Sequence, residues 1–312
     1  MVREYYPMKH INLLIGAMHI AVESASGEVE LRYDPAWAPF VNVCEQEQEV
    51  FVKVHRGIPE WVKDAPVVFT GLTEENKGIY LDSKGWEIRE ANVQMCGCAD
   101  VLIGCANVRI IVVGESGRME YAAVVGEGGK IFHVYCAAEG EERMVFPAIP
   151  YPLGPLLLYY MAVEDEAAMI HASGVVTADG TGFAFSALSG TGKSTMARLW
   201  EKKGARIVND DRLLLRIKNN QVMMYNSPMP YPDVPKFAPL HTLCLIRQSP
   251  VNEIRELRGV QAVARVYAQF IQHAYDKAHI SRLMALAEAI CSRTRILDAG
   301  FTLDGEIVQL IC

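Results

Sequence analysis

Residues 183–195 read FAFSALSGTGKST, and this stretch limits the fold more than any other. Its first residues are apolar and strand-like, and Met196, Ala197, Leu199 and Trp200 then recur at helical spacing. Between them stands Ala187-x-x-x-x-Gly192-Lys193-Ser194, the pattern of a phosphate-binding loop with Ala187 in place of its first glycine. Such a loop needs a strand before it and a helix after it. Ser189, Gly190, Thr191 and Gly192 can then turn backbone N–H groups toward phosphate oxygens, while the helix N-terminus adds partial positive charge. In that pattern Lys193 reaches the β- and γ-phosphates, and the Ser194 hydroxyl, with Thr195 beside it, ligates Mg²⁺. The plainer reading is a glycine-rich turn with a solvated Lys193. The flanking strand and helix favour the loop.

The residues that follow supply carboxylates. Gly204 is a suitable helix-ending residue after Lys202 and Lys203. Residues 205–208 read as a short strand running into Asn209-Asp210-Asp211-Arg212, which completes a compact β–α–β unit. The two carboxylates then end the strand at the sheet edge, where ligands gather in α/β folds. Neighbouring strand residues point to opposite faces, so the two need not share one job. Asp211 can face Mg²⁺ and the phosphates, and Asp210 can accept a proton from an attacking hydroxyl. A polar turn after a strand is the plainer alternative.

Upstream, residues 170–176 read IHASGVV. A lone histidine beside an apolar strand is more often structural than catalytic. Here a hairpin of strands 173–177 and 182–186 is expected to carry His171 toward the loop.

Taken together, His171-Ala-Ser173-Gly174-Val175, Ser189-Gly190-Thr191-Gly192-Lys193-Ser194 and Asp210-Asp211-Arg212 resemble the HPr kinase/phosphorylase superfamily in order and spacing. They resemble the ATP-dependent phosphoenolpyruvate carboxykinases more distantly. The resemblance implies ATP and Mg²⁺ as donor and cofactor. It implies Lys193 on the β/γ-phosphates with Arg212 also at the nucleotide, Ser194 and Asp211 on the metal, Asp210 as the group that activates a hydroxyl, and His171 as the residue that orients or stabilises that catalytic carboxylate and the phosphate. Residues 225–230 look like the turn that follows in shorter members, and residues 301–310 like their closing strand pair. The glycine-rich segment used for the reverse phosphorylase reaction is not found in residues 213–235, which points the acceptor away from HPr. Arg206 and Arg247 are further candidates for phosphate or substrate contact.

The rest of the chain sets bounds. At 312 residues, length suggests two domains. Residues 1–150 are strand-rich, with a hairpin signal across Gly126-Glu-Gly-Gly129, and carry no catalytic constellation. The proline-rich run FPAIPYPLGP at 146–155 is a connector, and residues 151–312 form the nucleotide-binding domain. Residues 156–168 read as a short helix, and residues 256–293 as mostly helical. The expected class is mixed α/β (α+β): a β-rich N-terminal domain followed by an HPr-kinase-like P-loop domain.

A net charge of −7 argues against a general nucleic-acid binder. The apolar run at 11–22 is too short for a membrane span and lacks the marks of a signal peptide, so the expected compartment is the cytoplasm. Cys96-Gly-Cys98 with Cys105 lacks a fourth ligand at zinc spacing, and plain thiols are the better reading. The leading function is a kinase acting on a hydroxyl, serine above all, of a peptide or small molecule. The alternatives are a nucleotide-binding regulator or scaffold without transferase activity, and a carboxykinase-like enzyme acting on a carboxylic acid. A homo-oligomer is left open.

Overall fold

The computed structural model describes residues 9–25, 27, 29–32, 36–42, 48–71, 85–92, 107–115, 118–138, 144–147, 150–229, 233–273 and 276–312. Cys44, Cys96, Cys98 and Cys105 lie outside them. The chain is a mixed α/β protein with large sheets and few helices. Its contacts divide it into two compact units, Met1–Glu164 with Met229–Pro232, and Asp165–Pro228 with Asp233–Cys312. The proline-rich run at 146–155 stands one helix ahead of this division.

The first unit contains strands β1 (His10–Ile15), β2 (Met18–Ser24), β3 (Val29–Arg32) and β4 (Val50–Arg56), helix α1 (Glu60–Asp64), strands β5 (Val67–Thr70), β6 (Gly85–Asn92), β7 (Asn107–Glu115), β8 (Arg118–Val125), β9 (Ile131–Cys136) and β10 (Met144–Pro147), and helix α2 (Leu153–Glu164). Eight strands form one sheet in the order β1-β2-β4-β9-β8-β7-β6-β5, and β10 pairs with β3. Gly16 and Ala17, both at positive φ, make the two-residue turn of the first hairpin, as the strand twist favours. The Val50, Val52 and Val54 side chains of β4 alternate inward. Helix α1 buries Val62 with Ile110, Val112 and Tyr135. Helix α2 is buried almost all round, as its uniformly apolar sequence requires. It begins at Leu153 and ends at Glu164, a few residues earlier than the expected 156–168.

On the same sheet the parallel β4–β9 pair stacks His55 on Tyr135, with ring centroids 4.7 Å apart, and joins His55 Nε2 to His133 Nδ1 at 2.9 Å. Burial lowers the His133 pKa to about 4, aided by the nearby His55 and Lys53 charges.

The second unit runs β11 (Ala167–Val176), β12 (Gly182–Ser186), α3 (Lys193–Glu201), β13 (Arg206–Lys218), β14 (Gln221–Asn226), β15 (Phe237–Gln248), β16 (Glu253–Leu257), α4 (Gly259–Tyr267), α5 (Lys277–Cys291), β17 (Arg295–Phe301) and α6 (Ile307–Ile311). Its seven strands lie in the order β12-β11-β13-β14-β15-β17-β16, and β12 also pairs with β15, which closes five of them into a ring. Strands β12, β15 and β17 are parallel, so their carboxyl ends share one edge. Phe183, Phe185, Met196, Trp200, Ile246 and Phe301 pack into one core, with Trp200 4.2 Å from Phe183 between ring centroids.

Two local expectations change. The strand after α3 does not stop at the carboxylates; β13 carries Asp210 and Asp211 in its interior and continues to Lys218. Leu213, Leu214 and Leu215 are buried there and extend its pairing with β11. Residues 301–310 are not a strand pair: β17 ends at Phe301 and a turn leads into α6, which buries Ile307 and Ile311. The mostly helical reading of 256–293 matches α4 and α5, which carry its two periodic runs.

Candidate active site

Strand β12 ends at Ser186, residues 187–192 turn, and α3 begins at Lys193. Gly190 (φ +77°) and Gly192 (φ +113°) adopt the left-handed backbone that only glycine takes without strain. No side chain caps α3, and its first hydrogen bond runs from the Met196 N–H to the Gly192 carbonyl at 2.9 Å. The amides of Lys193, Ser194 and Thr195 therefore precede that bond at the positive end of the helix. A Cβ on Gly190 would have nothing within 4 Å, so the turn has open space beside it. A Cβ on Gly192 would meet Phe301 Cζ at 2.9 Å. The turn thus rests on the last residue of β17.

Lys193 is not solvated: it is 8% exposed. Its Nζ donates to the carbonyls of Ala187 (3.1 Å) and Leu188 (3.2 Å), folding the side chain back across its own loop. Burial lowers its pKa below the ordinary lysine value, and Asp211 and Asp210 oppose the shift. Both carboxylates are therefore close enough to act on the ammonium. Ser189 is exposed at the tip, Thr191 donates its N–H to the Leu188 carbonyl at 3.3 Å, and Ser194 and Thr195 are half-buried in the first turn of α3.

The carboxylates owe their place to the long β11–β13 pairing. Opposite partners are His171 with Arg212, Ala172 with Asp211, and Ser173 with Asp210. A bulge between Gly174 and Val175 breaks the register just beyond them. Asp210 Oδ1 accepts from the fully buried Ser173 Oγ at 2.5 Å. Asp211 takes Arg212 Nε at 2.8 Å and lies 3.4 Å from His171 Nε2. Burial alone would raise the Asp211 pKa, but the His171 hydrogen bond and the Arg212 charge outweigh it and hold the pKa at about 2. The Asn209 side-chain oxygen accepts from the Asp211 N–H at 3.1 Å and steadies the backbone between them.

His171 is fixed from both sides. Its N–H donates to the Gln269 carbonyl at 3.3 Å, and its own carbonyl accepts from Ser186 Oγ at 2.8 Å. Ser186 also reaches Gln269 Oε1 at 3.2 Å. The structure thus brings Lys193, Asp210, Asp211, His171 and Arg212 together. Arg206 is not among them, since it pairs with Val176 at the far end of β11. His171 stands against Asp211 and not, as expected, against the catalytic candidate Asp210, whose partner is Ser173; among the described residues, Asp211 bonds to His171 and Arg212 rather than to Ser194.

Ser173, Asn209 and Gln269 were not assigned roles from sequence. Ser173 was findable, because it stands two residues from His171 on the same strand face. Gln269 was not, because nothing local ties it to the loop. Among the described residues no group of three or more His, Cys, Asp or Glu is placed to hold a metal ion, and no helix is long and apolar enough to cross a membrane.

No family model matches the chain, and no curated protein matches it. Among solved structures it is similar to the Hpr(Ser) kinase/phosphatase from Coxiella burnetii, at 13% identity and a TM-score of 0.28, over 46% of this chain and 90% of that one.

Proposed function

We propose that the second unit is an ATP- and Mg²⁺-dependent kinase that phosphorylates a hydroxyl, serine above all, of a peptide or small molecule. The observation that carries this is the convergence of Lys193 with two carboxylates of different surroundings. Asp211 is held ionised by the His171 hydrogen bond and the Arg212 charge, while Asp210 is held by a buried hydroxyl. Phosphoryl transfer asks mainly for positioning and charge neutralisation, plus one acceptor for the hydroxyl proton.

The residues fit the groups this requires. The uncapped end of α3, two left-handed glycines and open space beside Gly190 suit phosphate oxygens. In this role Lys193 leaves the Ala187 and Leu188 carbonyls and turns to the β/γ-phosphates. Ser194 and Asp211 offer the hard oxygen donors that Mg²⁺ takes, and the bound ion supplies charge neutralisation at the phosphates. Asp210 accepts the proton of the acceptor hydroxyl as that oxygen bonds to the γ-phosphorus and the bond to the β-phosphate oxygen breaks, leaving ADP. His171 and Arg212 orient Asp211.

The direct test is transfer of labelled γ-phosphate from ATP to a panel of serine peptides and small alcohols, run with wild type and Asp210→Asn. Acceptor labelling lost in the variant is the expected result. Tight nucleotide binding with no transfer to any acceptor would favour a regulator instead.

A further inference from the structure

The second unit also holds a cluster of arginines that the phosphoryl chemistry leaves unused. Asp298 on β17, its side chain 11% exposed, accepts from Arg265 Nη1 at 2.5 Å, Arg247 Nε at 3.2 Å and Arg255 Nη2 at 3.4 Å. Glu253, which is exposed, takes Arg247 Nη2 at 2.6 Å. Three guanidinium groups from β15, β16 and α4 thus share two carboxylates, a local positive excess in a chain of net charge −7. Arg255 is the most open of the three, at 65% exposure, and reaches Asp298 only at the longest of these distances. Gly300 makes the seat: a Cβ there would lie 2.9 Å from Arg247 Nη1.

This cluster is aligned with the candidate active site. One row of register partners crosses the sheet from Asp211 through Ala172, Ser186 and Leu245 to Asp298. Register partners share a face, and four strand spacings cover roughly 19 Å, less on a curled sheet. Arg265 stands about one helical turn before Gln269, the residue that holds His171 and Ser186. Leu188, Val251 and Leu303 follow the carboxyl ends of β12, β15 and β17, and all three are exposed at that edge. A basic cluster flanked by apolar side chains suits a peptide better than a small anion.

We infer that Arg247, Arg255 and Arg265 bind the carboxylates of an acidic peptide segment, which is the acceptor if the kinase role proposed above holds. Glu253 is the resting stand-in, an exposed carboxylate that an incoming one can replace on Arg247. Extended peptide advances about 3.3 Å per residue, so the acidic residues stand about six residues or fewer from the stretch of peptide at Asp211, whose chain neighbour Asp210 meets the hydroxyl.

The test is fluorescence anisotropy on the full chain with a labelled serine peptide carrying two aspartates at that separation, against the same peptide with asparagines. The acidic peptide is expected to bind at least about tenfold more tightly at low salt, with the advantage shrinking as salt rises. Arg255→Gln and Arg247→Gln are each expected to remove most of that advantage. Arg247 and Arg265 hold Asp298 more closely than the exposed Arg255 does, so Arg255→Gln is the variant expected to keep the wild-type melting temperature. Equal binding of the two peptides, or an advantage untouched by Arg255→Gln, overturns the proposal. Self-association of the chain that Arg255→Gln abolishes would assign the surface to a second copy and overturn it too. Arginine-dependent binding without phosphoryl transfer leaves this site standing and removes the kinase role. Transfer to acidic and neutral peptides at equal kcat/KM does the reverse.

Discussion

Ser173 Oγ donates to Asp210 Oδ1 at 2.5 Å across the β11–β13 pair, from a serine with no exposed surface. A donor so fixed holds one carboxylate oxygen and leaves the other for a substrate proton. Asp210→Asn is expected to lower phosphoryl transfer by about 10²-fold or more, the usual contribution of a general base. Ser173→Ala should cost less, on the order of tenfold, because Asp210 remains and only its orientation loosens. Steady-state transfer rates, with nucleotide affinity measured separately by calorimetry, check both. A Ser173→Ala enzyme as slow as Asp210→Asn would contradict this division.

Lys193 is buried and its pKa lowered, so the fold carries its charge at a cost. Lys193→Met keeps the apolar stem and removes that charge. Nucleotide binding should be lost, while the melting temperature stays level or rises, as is common when a functional strain is removed. A clear fall in melting temperature would mean that the bonds to the Ala187 and Leu188 carbonyls matter more than the desolvation.

Gly192 combines φ +113° with a Phe301 ring 2.9 Å from where a Cβ would stand. Gly192→Ala should destabilise the protein by about 1–3 kcal/mol, from backbone strain together with displacement of a core ring. Urea unfolding measures it. The same change at Gly190, where the space is open, should cost only the backbone term.

Asp211 titrates at about 2 rather than at the usual 3.8. Its folded-state pKa is depressed, so its stabilisation is present above the unfolded value and is lost as pH falls from about 4 through about 2. Its partial exposure screens the effect, leaving on the order of 1 kcal/mol. Asp211→Asn should flatten the fall of stability in that window, read by chemical denaturation at stepped pH.

His133 shows a second, separate window. Its pKa in the fold is about 4 against 6.5 when unfolded, so the unfolded chain takes up the proton first. Stability should fall as pH drops below about 6.5, by on the order of 2 kcal/mol near pH 4. His133→Gln should remove most of that slope. An unchanged slope would place the acid sensitivity elsewhere.

Local residue order was enough to read some of this. The turn after β12 and the helix after it follow from glycines and apolar spacing, because backbone conformation and helical periodicity are local properties. The β11–β12 and β8–β9 hairpins follow for the same reason. The end of β13 did not. A polar Asn-Asp-Asp-Arg run has turn propensity, and the long pairing with β11, backed by three buried leucines, overrides it. The tail at 301–310 misled likewise, because a short apolar run suits a strand or a helix and only the core beneath α6 chooses.

By itself the sequence determined which chemical groups are present and which local turns carry them. It placed a lysine at the start of a helix and two acids seventeen and eighteen residues later. The tertiary structure decided what those groups meet. It buried Lys193 against its own loop, set Ser173 on Asp210 and His171 on Asp211, and placed Asp298, which gathers three arginines, in one row of the sheet with Asp211. The reason is physical: strand register joins residues distant along the chain, and burial, not residue type, sets how strongly each charge acts on its neighbours.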